Sequence, residues 1–120
     1  MKRVSVMLSG MVLALSGTAH AADLKAGKAA FETKGCVACH GADGVTTLAS
    51  MYPILAGQHG DYLKHALMSY VRGGRNAPPS ANIRKNPIMA IQVQNLTPED
   101  IDNISAWLAT LPSHLSHRRQ

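Results

Sequence analysis

The sequence predicts an all-α fold in one domain, on three observations. Three segments carry apolar residues at helical spacing, each of them is bounded by capping or breaking residues, and no stretch alternates apolar and polar residues long enough to argue a strand. A chain of 120 residues has room for one domain. Its aromatic content of 4% is thin for a small domain that fills its core from its own side chains, so something besides side chains is expected in that core.

The first element is an address rather than part of the fold. Lys2 and Arg3 form a positive start, Val4 to Leu15 is uncharged and mostly apolar, and Ala19-His20-Ala21 has the small-x-small pattern of a cleavage site. Residues 1–21 therefore read as a secretory signal peptide and 22–120 as the mature domain. The apolar run is too short for an ordinary transmembrane helix, and no second segment is long enough to span, so no stable membrane insertion is expected after cleavage. The short positive region fits bacterial export and places the mature chain in the periplasm.

Asp23 then caps a helix over Leu24 to Thr33, with Gly27, Ala30 and Phe31 toward one side and Gly35 ending it. A second helix is expected from about Asp61 to Val71. Tyr62, Leu63, Ala66, Leu67, Tyr70 and Val71 recur there at helical spacing, and Gly73-Gly74 supplies the stop. Residues 73–87, with Pro78, Pro79 and Pro87, read as a loop. The last helix has the clearest start: Thr97 as cap, Pro98 at the first helical position and Asp100 completing a capping box. Ile101, Ile104, Trp107, Leu108 and Leu111 form its apolar stripe, and Pro112 ends it.

Composition excludes several functional classes. With 46% apolar and 16% charged residues the chain is not a disordered tail. Two cysteines make neither a disulfide-rich scaffold nor a four-cysteine metal site. The net charge of +5 lacks the dense Lys/Arg patterning of a nucleic-acid binder, so no nucleic-acid partner is expected.

One motif carries chemistry: Cys36-Val37-Ala38-Cys39-His40. Two thiols three positions apart on one turn can each add across a vinyl group of haem, and the following His40 then lies under the iron. The spacing tethers the porphyrin and supplies a proximal ligand together. Three other readings compete. A thioredoxin-like dithiol needs a βαβ context, which is absent. A zinc site needs two more ligands, and nothing pairs His59 and His65 as a finger. A plain disulfide between Cys36 and Cys39 explains neither His40 nor the sparse core.

Taken with Gly27 and Phe31 before the motif, Tyr52-Pro53-Ile54-Leu55-Ala56-Gly57-Gln58 after it, Tyr62-Leu63, Arg72-Gly73-Gly74-Arg75, Pro87-Ile88-Met89 and the terminal helix with Trp107, the chain resembles a class I c-type cytochrome. It is similar to the short bacterial monohaem kind and to single halves of the tandem dihaem cytochromes, over nearly all of residues 23–112. The resemblance implies three to five helices around one covalent haem c.

The iron needs a second axial ligand. Met51 lies close after His40, and Met68 falls inside a helix, where Met usually fills a core. Met89 follows the proline-rich loop, just before the last helix, where class I cytochromes place their axial Met. His40 and Met89 are therefore the expected metal ligands, a pairing that raises the potential and closes the iron to substrates. The resemblance also implies that the Pro53 carbonyl accepts the proton on the other imidazole nitrogen of His40. Leu55, Leu67 and Ile88 are candidate haem walls. Gly27 and Phe31 are expected to meet Trp107 where the first and last helices cross. Arg75, Gln58 and Tyr62 are candidate propionate contacts, and equally candidate solvated residues.

The function expected is one-electron transfer in the periplasm, with electrons passing through the haem edge near Cys39 and no substrate transformed by the chain alone. Redox partner proteins with an acidic docking surface are expected, because residues 62–98 hold Lys64, Arg72, Arg75, Arg84 and Lys85 and no carboxylate. The acids Glu99, Asp100 and Asp102 suit the positive end of the last helix. The alternative is a haem c subunit bound stably to a periplasmic oxidoreductase such as a dehydrogenase. A gas sensor or peroxidase-like enzyme requires that Met89 leave the iron open.

Overall fold

Asp23 starts the folded chain in the way its sequence position demands. In the computed structural model, which describes residues 21–116, its side chain accepts the Ala26 N–H and opens helix α1, Leu24–Thr33. The single turn α2, Val37–His40, follows, then α3, Gly60–Gly74, α4, Pro87–Gln92, and α5, Pro98–Thr110. Short 3₁₀ turns lie at Pro79–Ala81 and Val93–Asn95. There is no strand among the described residues. Apart from Ala21, the segment read as a signal peptide lies outside the described residues.

The core forms where α1 crosses α5. Phe31, Ile104, Trp107 and Leu108 are buried there with Leu63 of α3. A Cβ on Gly27 would strike the Asn103 carbonyl and the Trp107 side chain, so only glycine lets the two helices touch at this point. Closer to the motif, the rings of Phe31 and Trp107 meet at 5.2 Å between centroids and 53°, a tilted pair that adds about 1 kcal/mol beyond its buried area. The buried Asn103 is satisfied by accepting the Asp23 N–H at 2.8 Å. At the start of α5 the capping box is complete: Asp100 N–H donates to Thr97 Oγ1 at 3.0 Å and Thr97 N–H to Asp100 Oδ2 at 2.9 Å.

The middle of the chain departs from the sequence expectation in three places. Helix α3 does not stop before Gly73-Gly74 but runs through both. Gly73 serves a close approach instead: a Cβ there would collide with the Arg84 carbonyl, whose segment is pinned to α3 by Arg84 N–H donating to Ser69 O at 3.0 Å. The loop read over 73–87 is correspondingly shorter and contains a 3₁₀ turn. It ends on a helix the sequence reading did not separate. Asn86 caps α4 by accepting the Ile88 and Met89 N–H groups at 3.0 Å each, and Pro87 takes the first helical position. Met89 therefore sits within this short helix, after the proline-rich stretch and ahead of α5.

Candidate functional site

The motif is shaped by its flanking glycines. Lys34 N–H returns to Ala30 O at 2.9 Å to close α1, and Gly35, at φ +87°, turns the chain into Cys36. His40 N–H donates to Cys36 O at 3.1 Å and Cys39 N–H to the same oxygen at 3.3 Å. Residues three and four apart share one side of a helical turn, so Cys36, Cys39 and His40 face the same way. Both thiols are free, and burial pushes the Cys36 thiol up rather than toward the thiolate that a redox-active dithiol needs.

His40 is 5% exposed. Its Nδ1–H donates to the Pro53 carbonyl oxygen at 3.0 Å. A carbonyl only accepts, so the ring proton is on Nδ1 and the lone pair on Nε2. Burial lowers the imidazole pKa, partly opposed by the Pro53 bond, which leaves a neutral ring able to bind a metal. Pro53 reaches this position through a turn set by Asp43. The Asp43 carboxylate accepts Val45 N–H at 2.8 Å, Thr46 N–H at 2.7 Å and the Thr46 hydroxyl at 2.7 Å, and these bonds hold its pKa at about 2. Leu55 and Ala56 then donate their N–H groups to Gly44 O at 2.8 and 3.1 Å.

A cavity of about 280 Å³ opens against the motif. Cys36, Cys39 and His40 line it together with Met89, Met51, Pro53 and the apolar groups Leu55, Leu67 and Ile88. Met51 is two residues from Pro53 and is 78% exposed, so it belongs to the His40 wall. Met89 comes from α4, which packs on α3. Met68, read as core filler, is 38% exposed and does not line the cavity, because it lies on the outer side of α3. Two thiols, a neutral imidazole and a thioether set in apolar walls are the donor set a covalent haem requires.

Gln58 and Tyr62 line the cavity; Arg75 does not. Arg75 is the exposed C-cap of α3. Arg84, Tyr70 and Asn86 line it instead. Only Asn86 had a readable signal, the Asn-Pro pair that starts a helix. The five basic residues between 62 and 98 do not form one ring. Lys64 pairs with Asp102 at 2.6 Å, beside a separate groove between α3 and α5. The guanidinium of Arg72 donates to Asn82 O at 2.9 Å and to Ser69 Oγ at 3.0 Å. Arg75 and Lys85 are exposed.

Comparison with known proteins agrees with this architecture. The family model described as Cytochrome c matches residues 24–112. The chain is 39% identical to cytochrome c-554(548) of Halomonas halodenitrificans over 62% of this chain and 82% of that protein. It is 32% identical to the thiosulfate dehydrogenase electron acceptor of Stutzerimonas stutzeri over 94% of this chain and 50% of that one. The crystal structure of reduced recombinant cytochrome c4 from Pseudomonas stutzeri superposes with a TM-score of 0.64 at 32% identity, covering 77% of this chain and 47% of that one. The chain thus spans about half the length of these last two relatives. It belongs to the cytochrome c family of electron carriers, as an all-helical class I member with covalently bound haem c.

Proposed function

We propose that residues 22–120, released from a signal peptide over 1–21, act as a one-electron carrier in the periplasm. Cys36 and Cys39 would hold the haem through thioether bonds, and His40 and Met89 would be the residues that bind its iron. The observation that carries this reading is the His40–Pro53 bond. It commits Nδ1 and leaves Nε2 as the coordinating nitrogen, in a cavity that the two thiols and Met89 also line. A bound haem supplies an iron that takes up or gives away one electron, at a potential that its ligands and burial tune. The chain's part is to hold both ligands in place in either oxidation state and to exclude water from the iron. No substrate is transformed. No helix among the described residues is long and apolar enough to cross a membrane.

Met89→Ala tests the ligand assignment. The oxidised protein is expected to lose its far-red sulfur-to-iron charge-transfer band, and the reduced protein to bind carbon monoxide. The same substitution at Met51 or Met68 is expected to leave both properties alone. A band that survives Met89→Ala refutes the assignment. Steering of an acidic partner rests on Arg72, Arg75, Arg84 and Lys85, since Lys64 alone of the five is paired with a carboxylate and the hydrogen bonds of Arg72 and Arg84 go to neutral oxygens.

A second reading, a haem subunit held by a periplasmic oxidoreductase, is favoured by the similarity to a thiosulfate dehydrogenase electron acceptor. Exposed Met51 and Ile88 at the cavity offer an apolar contact for it. Size-exclusion chromatography of native extract separates the two readings: a carrier elutes alone, a subunit with its enzyme.

A further inference from the structure

The groove between α3 and α5 also takes in the start of α1, and it shares no lining residue with the cavity at the Cys36–His40 motif. Three helices begin on it: α1 after Asp23, α3 at Gly60 and α5 at Pro98. Its volume is about 770 Å³, and its titratable groups are Asp23 from α1, Asp61 and Lys64 from α3, and Glu99 and Asp102 from α5. Acids suit helix starts, since each start carries about half a positive charge. Three such ends together with Lys64 still fall short of four carboxylates by about one and a half charges.

A second observation is independent of charge. Ser105 is 2% exposed and lines the same groove, and its Oγ has no hydrogen-bond partner within the chain. A buried hydroxyl left in that state is destabilising, so it marks a place where a ligand completes the structure. Asp102 stands on the preceding turn, on the same side of α5. Its Oδ1 meets the Lys64 ammonium at 2.6 Å, yet no donor is aligned on that oxygen as a hydrogen bond. Acceptors outnumber donors here, and the guest that suits them is a donor carrying positive charge.

The chain itself can supply one. Ala21 and Ala22 line the groove, and the bond between them is the one read as the signal-peptide cleavage site. Its hydrolysis adds water across the amide: the Ala21 carbonyl leaves with the leader as a carboxylate, and the Ala22 nitrogen becomes a primary ammonium, which only donates. The place of that ammonium is closely limited. Asp23 N–H donates to the buried Asn103 Oδ1 at 2.8 Å, and only Ala22's own Cα and carbonyl carbon separate the Asp23 nitrogen from the new charge. We propose that this groove is the binding site of the α-ammonium of mature Ala22, with its acceptors drawn from Asp61, Glu99, Asp102 and the Ser105 hydroxyl, so that removal of the leader completes the junction of α1, α3 and α5. The inference rests on the reading that cleavage follows Ala21.

The test uses the mature holoprotein grown with ¹³C-labelled alanine. Its first residue is established by N-terminal sequencing, and the Ala22 signals are followed against pH. A free α-amino group titrates at about 8. In the wild type Ala22 is expected to titrate about one unit higher, a roughly tenfold stronger hold on its proton. Asp61→Asn combined with Glu99→Gln is expected to bring it back toward the free value, and Ser105→Ala to lower it by less. Lys64→Gln is expected to move it further up, because a competing cation is removed; a merely structural role for the groove gives no such opposite sign. A wild-type Ala22 that titrates as a free amine overturns the proposal, whether or not the variants fold, and so does a Lys64→Gln variant that titrates below the wild type. A mature chain that starts at another residue is a different result: it removes the cleavage reading, and the proposal with it.

Discussion

His40 stands on a turn that packs into the α1–α5 core, whereas Met89 stands on a six-residue helix with no buried residue of its own. The first wall is held by apolar burial: Phe31, Ile104, Trp107 and Leu108 around the Gly27 crossing. Polar devices hold the second, namely the Asn86 cap, the Arg72 bonds to Asn82 and the seat of Arg84 on α3. Helices this short are unstable alone in water, so α4 exists by virtue of those attachments. The two ligands proposed for one metal are therefore expected to fail separately. The thioether wall opens at low local cost and the imidazole wall only with the whole fold.

Trp107→Ala attacks the imidazole wall and has the largest effect. Removing the ring from the Phe31 contact is expected to cost about 3–5 kcal/mol in guanidinium unfolding of the holoprotein. A loss under 1 kcal/mol shows that the core does not carry the fold. Asn86→Ala attacks the other wall. It removes a cap that serves two N–H groups, for about 1 kcal/mol. Hydrogen exchange is expected to quicken at the Ile88 and Met89 amides and to stay unchanged in α1 and α5. Quickening throughout shows that α4 does not open separately from the α1–α5 core.

The smallest effect belongs to acid. Asp43 has its pKa held down at about 2 by the Val45 and Thr46 bonds, against about 3.9 for an unfolded aspartate. Its contribution is full above the unfolded value and is lost as pH falls through about 2. Carboxyl NMR is expected to show Asp43 titrating there, with the Val45 and Thr46 amides losing protection in step. An Asp43 that titrates near 4 removes the turn as a support for Pro53.

What was legible in the sequence follows the same division. Asp23, Thr97, Pro98 and Asp100 are local signals, and they mark α1 and α5 where the structure has them. The Cys36–His40 motif is local too, and its geometry follows from one helical turn. The second wall was harder to read. Prolines at 78, 79 and 87 hid the Asn86–Pro87 helix start inside an apparent loop. Gly73 reads as a helix stop until the Arg84 backbone is seen lying against it, and Arg84 reaches the cavity through contacts with Ser69, Tyr62 and Tyr70, remote in sequence. No periodicity encodes a contact of that kind.

The missing side chain at Gly73 has a consequence for how the molecule can change. Because the chain re-docks on α3 at Arg84, the stretch from Asn76 to Ala81 is a detour whose length does not set where Met89 stands. Extra residues at its tip lengthen the detour at a small entropic cost, about 0.6 kcal/mol for each doubling. A single methyl group at Gly73 lifts the docking point itself and displaces everything after it. Variation in this protein is therefore tolerant in length and intolerant in bulk, within a few residues of each other.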